Sequence, residues 1–521
     1  MSQMLKSSGA MAAATLTSRV LGMVREMAYG WFMGTSWIAD AFQVALSIPS
    51  LFRRLLGEGA LTAAFIPIFK EKERTGTEEE LWRAANAVIS GLIVALAVIV
   101  ALGLLIVSVA LAAHAFTPRV DLMLRLLRVM FPYMFFVCLA AVFIGILNAR
   151  GHFFIPAMGA TMLNVVMIAS VFLLTPIWPG DKADKVFALA FGVVVAGVAQ
   201  ALFQLPSLRR EGFSYKWVTP WRDETVRNVV RKIIPGTIGV AAFQINVLVV
   251  QNLGLVLGAA NGPIISPFNY AVRLMELPQG VFGISLATYL LPTLAGLAAE
   301  KKFDEFRASV RHGIAHLLFA NVLCAVLLIV LAEPAVRLIF ERGNFTVEST
   351  HATALALQWL SASLIGYSLV NIFARAFYAL GDTRTPMKIS VVCLVVNLVC
   401  AVALVFPLKQ GGFGLANTIS STLNCGLLLF ALRKKLKSLG LAALRPGLIQ
   451  LIIAVAIAGL IAWGTSREWE RTIGHAGLLT RIGAVFVPGA LAAGVYFGIA
   501  LVAKVPAAVE MWELWRKRQS R

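Results

Sequence analysis

Charge is scarce in this chain. Only 14% of its 521 residues are Asp, Glu, Lys or Arg, and carboxylates are the scarcer part, 26 against 46 Lys and Arg. Soluble globular chains carry about 25% charged residues, so an ordinary water-exposed surface is excluded. The complement is a composition that is 59% hydrophobic, with apolar runs from end to end that match the ~20 residues a helix needs to cross a bilayer. Cysteine is sparse too. Cys138, Cys324, Cys393, Cys400 and Cys425 are odd in number, fall in apolar runs and lack metal-ligand spacing, which excludes a disulfide framework and reads as buried thiols. The six histidines are scattered. His312 and His316 are i,i+4 near a helix start but have no further ligand nearby in the sequence, so no metal site is expected. There is no His-Glu-x-x-His, no P-loop lysine motif and no nucleophile elbow. The chain is therefore not expected to be an enzyme, and no cofactor is expected.

The net charge of +20 raises nucleic acid as a partner, but its distribution argues for topology instead. The basic residues gather in short connections, Arg53 to Arg83, Arg209 to Lys232, Lys301 to Arg311 and Arg433 to Arg445. The intervening connections, such as Gly34 to Trp37 and Gly258 to Pro267, carry few charges or none. The positive-inside rule makes the basic side cytoplasmic, and no nucleic-acid partner is expected. Arg19 and Arg25 interrupt the apolar core that a signal peptide would need, so the first segment reads as a retained helix. The pattern predicts an all-α polytopic membrane protein with about fourteen transmembrane helices and both termini cytoplasmic. Single spans are expected over 122–149 and 347–379, and another over 264–291. The tail Arg516-Lys517-Arg518 is expected on the anionic cytoplasmic leaflet.

An internal repeat runs through the chain. Phe42-Gln43-Val44-Ala45 is echoed by Phe268-Asn269-Tyr270-Ala271, Pro67 by Pro292, and Gly151 with Pro156 by Gly381 with Pro386. The offsets agree, at 225 to 230 positions. Six helices fit in that interval, so the two copies share an orientation, as in transporters whose repeats are related by an axis along the membrane normal. The expected organisation is two pseudo-symmetric six-helix lobes, 1–220 and 221–440, followed by helices thirteen and fourteen with a basic cytoplasmic tail in 441–521. A substrate site is expected between the lobes.

Ionisable residues inside spans cost at least ~2.5–3.5 kcal/mol at the membrane centre and must face a cavity, a partner or water. The candidates are Arg19 and Arg25 in the first helix, Asp40 in the second with Arg53, Arg54 and Glu58 towards its end, Arg273 and Glu276 in the eighth, and Arg375 in the tenth. Arg273 and Glu276 are i,i+3 neighbours followed by Pro278 and Gly280, which predicts a kinked, cavity-lining pair. Asp40 is a candidate counter-ion for the first-helix arginines. Arginines outnumber carboxylates here, and guanidinium groups match phosphate bidentately. Such a cavity calls for an anion, and a phosphate or diphosphate fits best.

These residues also carry a family resemblance. Ser18-Arg19-Val20-Leu21-Gly22-Met23-Val24-Arg25-Glu26, Ala39-Asp40-Ala41-Phe42, Pro49-Ser50-Leu51-Phe52-Arg53-Arg54 and Glu58-Gly59-Ala60-Leu61 occur in order. The second half adds Arg273-Leu274-Met275-Glu276-Leu277-Pro278-Gln279-Gly280 and Gly381-Asp382-Thr383-Arg384-Thr385-Pro386. The chain resembles the MurJ (MviN) lipid II flippase family of the MOP (multidrug/oligosaccharidyl-lipid/polysaccharide) exporter superfamily. The resemblance implies an alternating-access flippase that carries lipid II, the undecaprenyl-diphosphate-linked peptidoglycan precursor, from the inner to the outer leaflet of the bacterial plasma (inner) membrane. It implies that Arg19, Arg25 and Arg273 bind the diphosphate, that Arg53 recruits it, and that Asp40, Glu58 and Glu276 serve as counter-ions or gates. It implies membrane lipids as surroundings, function as a monomer, and cell-wall synthesis machinery as a further contact. Some members use a sodium site. Here Arg375 stands one turn after Asn371, and Val272 is apolar where an acidic residue can occur, so sodium coupling is not expected and membrane potential is the available drive. A flippase for another polyprenyl-diphosphate glycan, and a multidrug or cation antiporter of the same superfamily, remain alternatives.

Overall fold

The computed structural model describes residues 2–55, 61–113 and 116–519, and every regular element among them is helical. The chain divides into two compact units, Met1–Ile265 and Ser266–Arg521. The first holds α1 (Ser2–Met33), α2 (Trp37–Phe52), α3 (Leu61–Thr75), α4 (Glu78–Ala112), α5 (Pro118–Met130), α6 (Tyr133–Ala149), α7 (Phe154–Ala169), α8 (Thr175–Ile177), α9 (Lys182–Arg210) and α10 (Glu224–Asn261). The second holds α11 (Ile265–Pro278), α12 (Ser285–Ala299), α13 (Phe303–Val330), α14 (Ala332–Phe340), α15 (Val347–Ser361), α16 (Ser363–Ala379), α17 (Arg384–Leu408), α18 (Gln410–Lys435), α19 (Arg445–Thr472), α20 (Leu478–Val502) and α21 (Pro506–Gln519). Among the described residues eight helices are long and apolar enough to cross a membrane, or ten if each of two bent pairs counts as one span.

Those bent pairs are the spans expected to be continuous over 122–149 and 347–379. α5 and α6 meet at 46°, and α15 and α16 at 41°. Pro132 causes the first break, since it has no amide to donate. Serines account for the second. Ser361 Oγ donates to the Leu357 carbonyl and Ser363 Oγ to the Leu360 carbonyl, both at 2.6 Å, and such back-bonding bends helices. Pro132 and Ala362 lie one repeat interval apart. The same holds for two wide turns: α2 runs into π-helical backbone at 53–55, and α11 into a π-helical segment at Gln279–Ile284. Residues 61–75, within the basic connection expected from Arg53 to Arg83, form α3, because Phe65, Ile68 and Phe69 give it a buried apolar face.

The packing repeats as well. In the first unit α9 packs on α5, α6 and α7, and α6 on α3 and α4. In the second α18 packs on α15, α16 and α17, and α16 on α12 and α13. Each set surrounds one apolar core, with Phe65, Phe69, Trp82, Phe143 and Leu208 in the first and Leu290, Leu294, Phe306, Phe373 and Leu432 in the second. α10 packs against α2, α3, α4 and α5. Outside the repeat, α19 and α20 meet through small residues, Ala454, Ala458, Ala462, Ala492 and Ala500, which allow close approach where lipid gives no hydrophobic drive. Tyr496 on α20 donates its hydroxyl to the Phe319 carbonyl at 2.8 Å. All five cysteines are free thiols.

The matched glycines have a physical reason. Gly151 ends α6 with φ +87° and Gly381 ends α16 with φ +73°. His152 N–H donates to the Leu147 carbonyl and Asp382 N–H to the Phe377 carbonyl, both at 2.9 Å, and each glycine amide donates three residues back. This is the same left-handed helix stop, used twice. A methyl added at either glycine would meet nothing within 4 Å, so substitution tests the backbone alone. Gly151→Ala and Gly381→Ala are each expected to cost about 1–2 kcal/mol, read as a lower melting temperature of the purified protein. Unchanged melting would show that the turn relaxes out of the left-handed region.

Asp382 follows directly, one residue before the N-cap Thr383 of α17, and ties down the start of that helix. Its carboxylate accepts from Thr385 N–H at 3.0 Å, from Thr385 Oγ at 2.9 Å and from Lys435 Nζ at 2.6 Å. The Lys435 ammonium and the Thr385 bonds hold the Asp382 carboxyl down at about 2. A depressed carboxyl stabilises the folded state above its unfolded pKa, and that contribution disappears as pH falls through the folded value. The expected result is a stability loss as pH falls from about 4 towards 2 that Asp382→Asn abolishes. Thermal melts across that window check it.

Candidate functional site

In the first unit the site is built on α1, α2 and α7. Arg25 is half-buried at the centre of it. Its Nη2 pairs with Glu26 Oε1 at 2.6 Å, its Nη1 donates to Asn164 Oδ1 at 3.0 Å, and its guanidinium lies 5.5 Å from the Tyr29 ring centre. Asn164 in turn donates to the Ser18 carbonyl at 3.1 Å, which ties α7 to α1 about two turns away from Arg25. Tyr29 meets Phe42 edge-on at 5.5 Å and links α1 to α2. The charge of Arg25 is thus compensated by the adjacent residue, and its fork is aimed by an amide from another helix. Arg19, six residues earlier, is exposed.

Ser36 starts α2 by accepting the Ala39 amide at 3.2 Å, which places Asp40 in the first turn. Asp40 is fully buried. Its Oδ2 accepts the Ile264 amide at 2.9 Å and the Ile265 amide at 3.2 Å. Backbone amide bonds of this kind, together with the positive end of its own helix, offset part of the cost of burying a carboxyl group. Arg53 caps α2, half-buried, with its amide directed to the Pro49 and Ser50 carbonyls. Arg54 is exposed and donates to Gln244 on α10 at 3.3 Å. Glu58 lies outside the described residues.

In the second unit Arg273 and Glu276 stand on α11 as expected from their spacing. Arg273 Nη1 meets Glu276 Oε2 at 2.8 Å, with the two side chains 43% and 47% exposed. The π-helical segment at Gln279–Ile284 begins one residue after Pro278, so the backbone after the pair is widened where proline withholds its amide. Asn371 on α16 donates to the Tyr367 carbonyl at 3.1 Å, and Tyr367 donates to Asn417 at 2.6 Å. Arg375 follows one turn later, half-buried.

Two residues outside the expected set, Glu26 and Asn164, hold the Arg25 guanidinium. Glu26 was visible as the neighbour of Arg25 but was assigned no role. Asn164 is an amide in an apolar run, the one signal that marked it.

The family described as Lipid II flippase MurJ matches residues 30–482. A probable lipid II flippase MurJ of Bdellovibrio bacteriovorus is 33% identical over 510 residues, covering 96% of this chain and 95% of that protein. A lipid II flippase MurJ of Burkholderia cenocepacia is 31% identical over 499 residues, covering 93% of this chain and 94% of that one. Among solved structures, a lipid II flippase MurJ in its inward closed conformation aligns with a TM-score of 0.75 at 22% identity, over 94% of this chain and 99% of that one. An inward-facing MATE multidrug transporter of the MOP superfamily aligns with a TM-score of 0.63 at 16% identity, over 81% of this chain and 95% of that one, a likeness of fold. With most of its length matched by the family and by relatives above 30% identity, the chain belongs to the lipid II flippase MurJ family.

Proposed function

We propose that the chain is a lipid II flippase of the inner membrane, which moves the precursor from the inner to the outer leaflet by alternating access. Membership of the family over residues 30–482 supports the substrate, and the arrangement of Arg25 supports the mechanism. Guanidinium groups suit a diphosphate because their fork is bidentate and always charged. Arg25 and Arg273 each keep a carboxylate close by, Glu26 at 2.6 Å and Glu276 at 2.8 Å. These neighbours offset the cost of a membrane arginine when no anion is bound. A diphosphate must displace them to bind, and their return helps expel it. Arg19 and Arg53 extend the basic path, while Asp40 and Glu58 act as counter-ions or gates.

In this reading residues 1–220 and 221–440 are the two rocking lobes, and 441–521 are the appended helices and tail. The recurring bends, π-helical turns and helix pairings support that division. About fourteen spans with both termini cytoplasmic agree with the basic connections. The protein works as a monomer surrounded by membrane lipid. It performs no covalent chemistry, and contact with cell-wall synthesis machinery would supply and use its substrate. The membrane potential provides the drive, about 2.3 kcal/mol per charge per 100 mV.

The test is leaflet exposure of lipid II in cells depleted of this protein, with an added enzyme that cleaves exposed lipid II. Precursor that accumulates but is protected supports the proposal. Precursor that stays accessible, in cells lacking another flippase, overturns the substrate assignment in favour of a different polyprenyl-linked glycan.

A further inference from the structure

Two histidines that found no ligand in their own stretch of sequence meet one from the far end of the chain. His312 and His316 are i,i+4 on α13, so their rings leave the same helix face, with ring centres 4.1 Å apart. Glu510 on α21 brings Oε2 to 3.1 Å from His316 Nε2 and 3.5 Å from His312 Nε2. One ligand atom from each residue lies within 4.8 Å of the other two. A tetrahedral zinc ion with ~2.0–2.1 Å bonds holds its ligand atoms roughly 3.3 Å apart, so the carboxylate already stands near that spacing from both rings.

The second observation is a proton position. His316 Nδ1 lies 3.0 Å from the His312 backbone carbonyl. A carbonyl only accepts, so Nδ1 carries the hydrogen. In the neutral ring Nε2 then points its lone pair at the Glu510 carboxylate, 3.1 Å away. Two lone pairs at that distance repel unless a proton or a metal cation lies between them. One divalent ion satisfies all three groups. A backbone carbonyl on the non-ligating nitrogen is also the arrangement that orients metal-bound histidines.

We propose that His312, His316 and Glu510 form a site for a divalent transition metal of the zinc type, which pins α21 to α13. Two imidazoles and a carboxylate suit zinc, and three protein ligands leave a fourth position for water. The partial exposure of all three side chains gives the ion an entry path. The site also borders a cavity of about 670 Å³ lined by His316, Phe282, Phe319, Phe497 and Met511. Met511 follows Glu510 directly, so a bound metal would fix the helix that forms part of that cavity wall.

The experiment uses the purified full-length chain, free of any histidine tag, titrated with Co²⁺ and Zn²⁺. The expected result is one Co²⁺ per chain, displaced by Zn²⁺, with the visible absorption of a low-coordinate ion. H316A and E510Q should each weaken binding at least about 10-fold. In parallel, Zn²⁺ should slow tryptic cleavage within Arg516-Lys517-Arg518 in the parent chain but not in E510Q, whose replaced side chain is half-exposed and whose folding is checked by melting. Absence of binding overturns the proposal. So does binding that survives H312A/H316A, which would place the metal elsewhere, or tail protection produced by acid without any metal.

Discussion

Replacing Arg25 by alanine is expected to abolish lipid II translocation while leaving membrane insertion intact. The argument begins with the two ends of its fork. One is held by Glu26 at 2.6 Å and the other by Asn164 at 3.0 Å, above the Tyr29 ring. The position of the guanidinium is therefore set before substrate arrives, and little ordering is lost when an anion replaces Glu26. Two charge-assisted hydrogen bonds contribute about 1.5–3 kcal/mol each, so their loss corresponds to at least a 100-fold fall in transport. Arg25→Lys should recover little, because one ammonium cannot serve both directions of the fork. Asn164→Ala keeps the charge and should produce a milder loss. Arg273→Ala is the counterpart in the second unit. The protection assay for lipid II, with membrane abundance measured alongside, distinguishes transport from insertion. Wild-type translocation by Arg25→Ala would end the diphosphate-clamp proposal.

The largest effect on stability is expected from Arg337→Ala, far from that site in sequence. Arg337 is only 7% exposed. Its Nη1 meets Glu470 at 2.6 Å, its Nη2 meets Glu333 at 2.6 Å and its Nε faces Glu341 at 3.6 Å. Glu341 is shared with Arg481 at 3.2 Å and accepts from Thr350 at 2.8 Å, while Glu470 also meets His475 at 2.7 Å. The network fastens the end of α19 and the start of α20 to α14. Removing Arg337 leaves three carboxylates, of which Glu341 still pairs with Arg481 while Glu333 and Glu470 keep only histidine neighbours. Breaking a buried ion pair from one side costs about 3–5 kcal/mol, which should lower the melting temperature of a chain of this length by roughly 3–5 °C. Arg337→Lys keeps the charge but reaches fewer carboxylates at once, so it should fall between. An Arg337→Ala protein that melts with the parent would show that water, not Arg337, compensates these glutamates.

Sequence reasoning saw the signals that are local. Apolar length and basic connections marked a helical membrane protein, because a helix satisfies its backbone within one segment. The Gly151 and Gly381 match was legible because a left-handed helix stop favours one residue type. The i,i+3 pairing of Arg273 with Glu276 followed from helix geometry alone. Arg25 was legible as a costly charge, but its partner was not. The sequence offers Asp40 as a counter-ion for the first-helix arginines; in the structure Glu26 pairs with Arg25, and Asp40 accepts the amides of Ile264 and Ile265.

What lay beyond the sequence were the pairings between distant segments. Asn164 reaches Arg25 across 139 positions and Glu470 reaches Arg337 across 133. Glu510 meets His312 and His316 only because α21 packs on α13. The two helix breaks also differ in cause, a proline in one copy and serine back-bonding in the other, so the proline of one gave no warning of the other. The sequence by itself determined the helical membrane class, the repeat, and which charges had to be compensated, since these depend on composition and on contacts within a few turns. Only the tertiary structure decided which groups compensate them, because a charged side chain takes the partner that packing brings within about 3 Å, and no spacing along the chain encodes that distance.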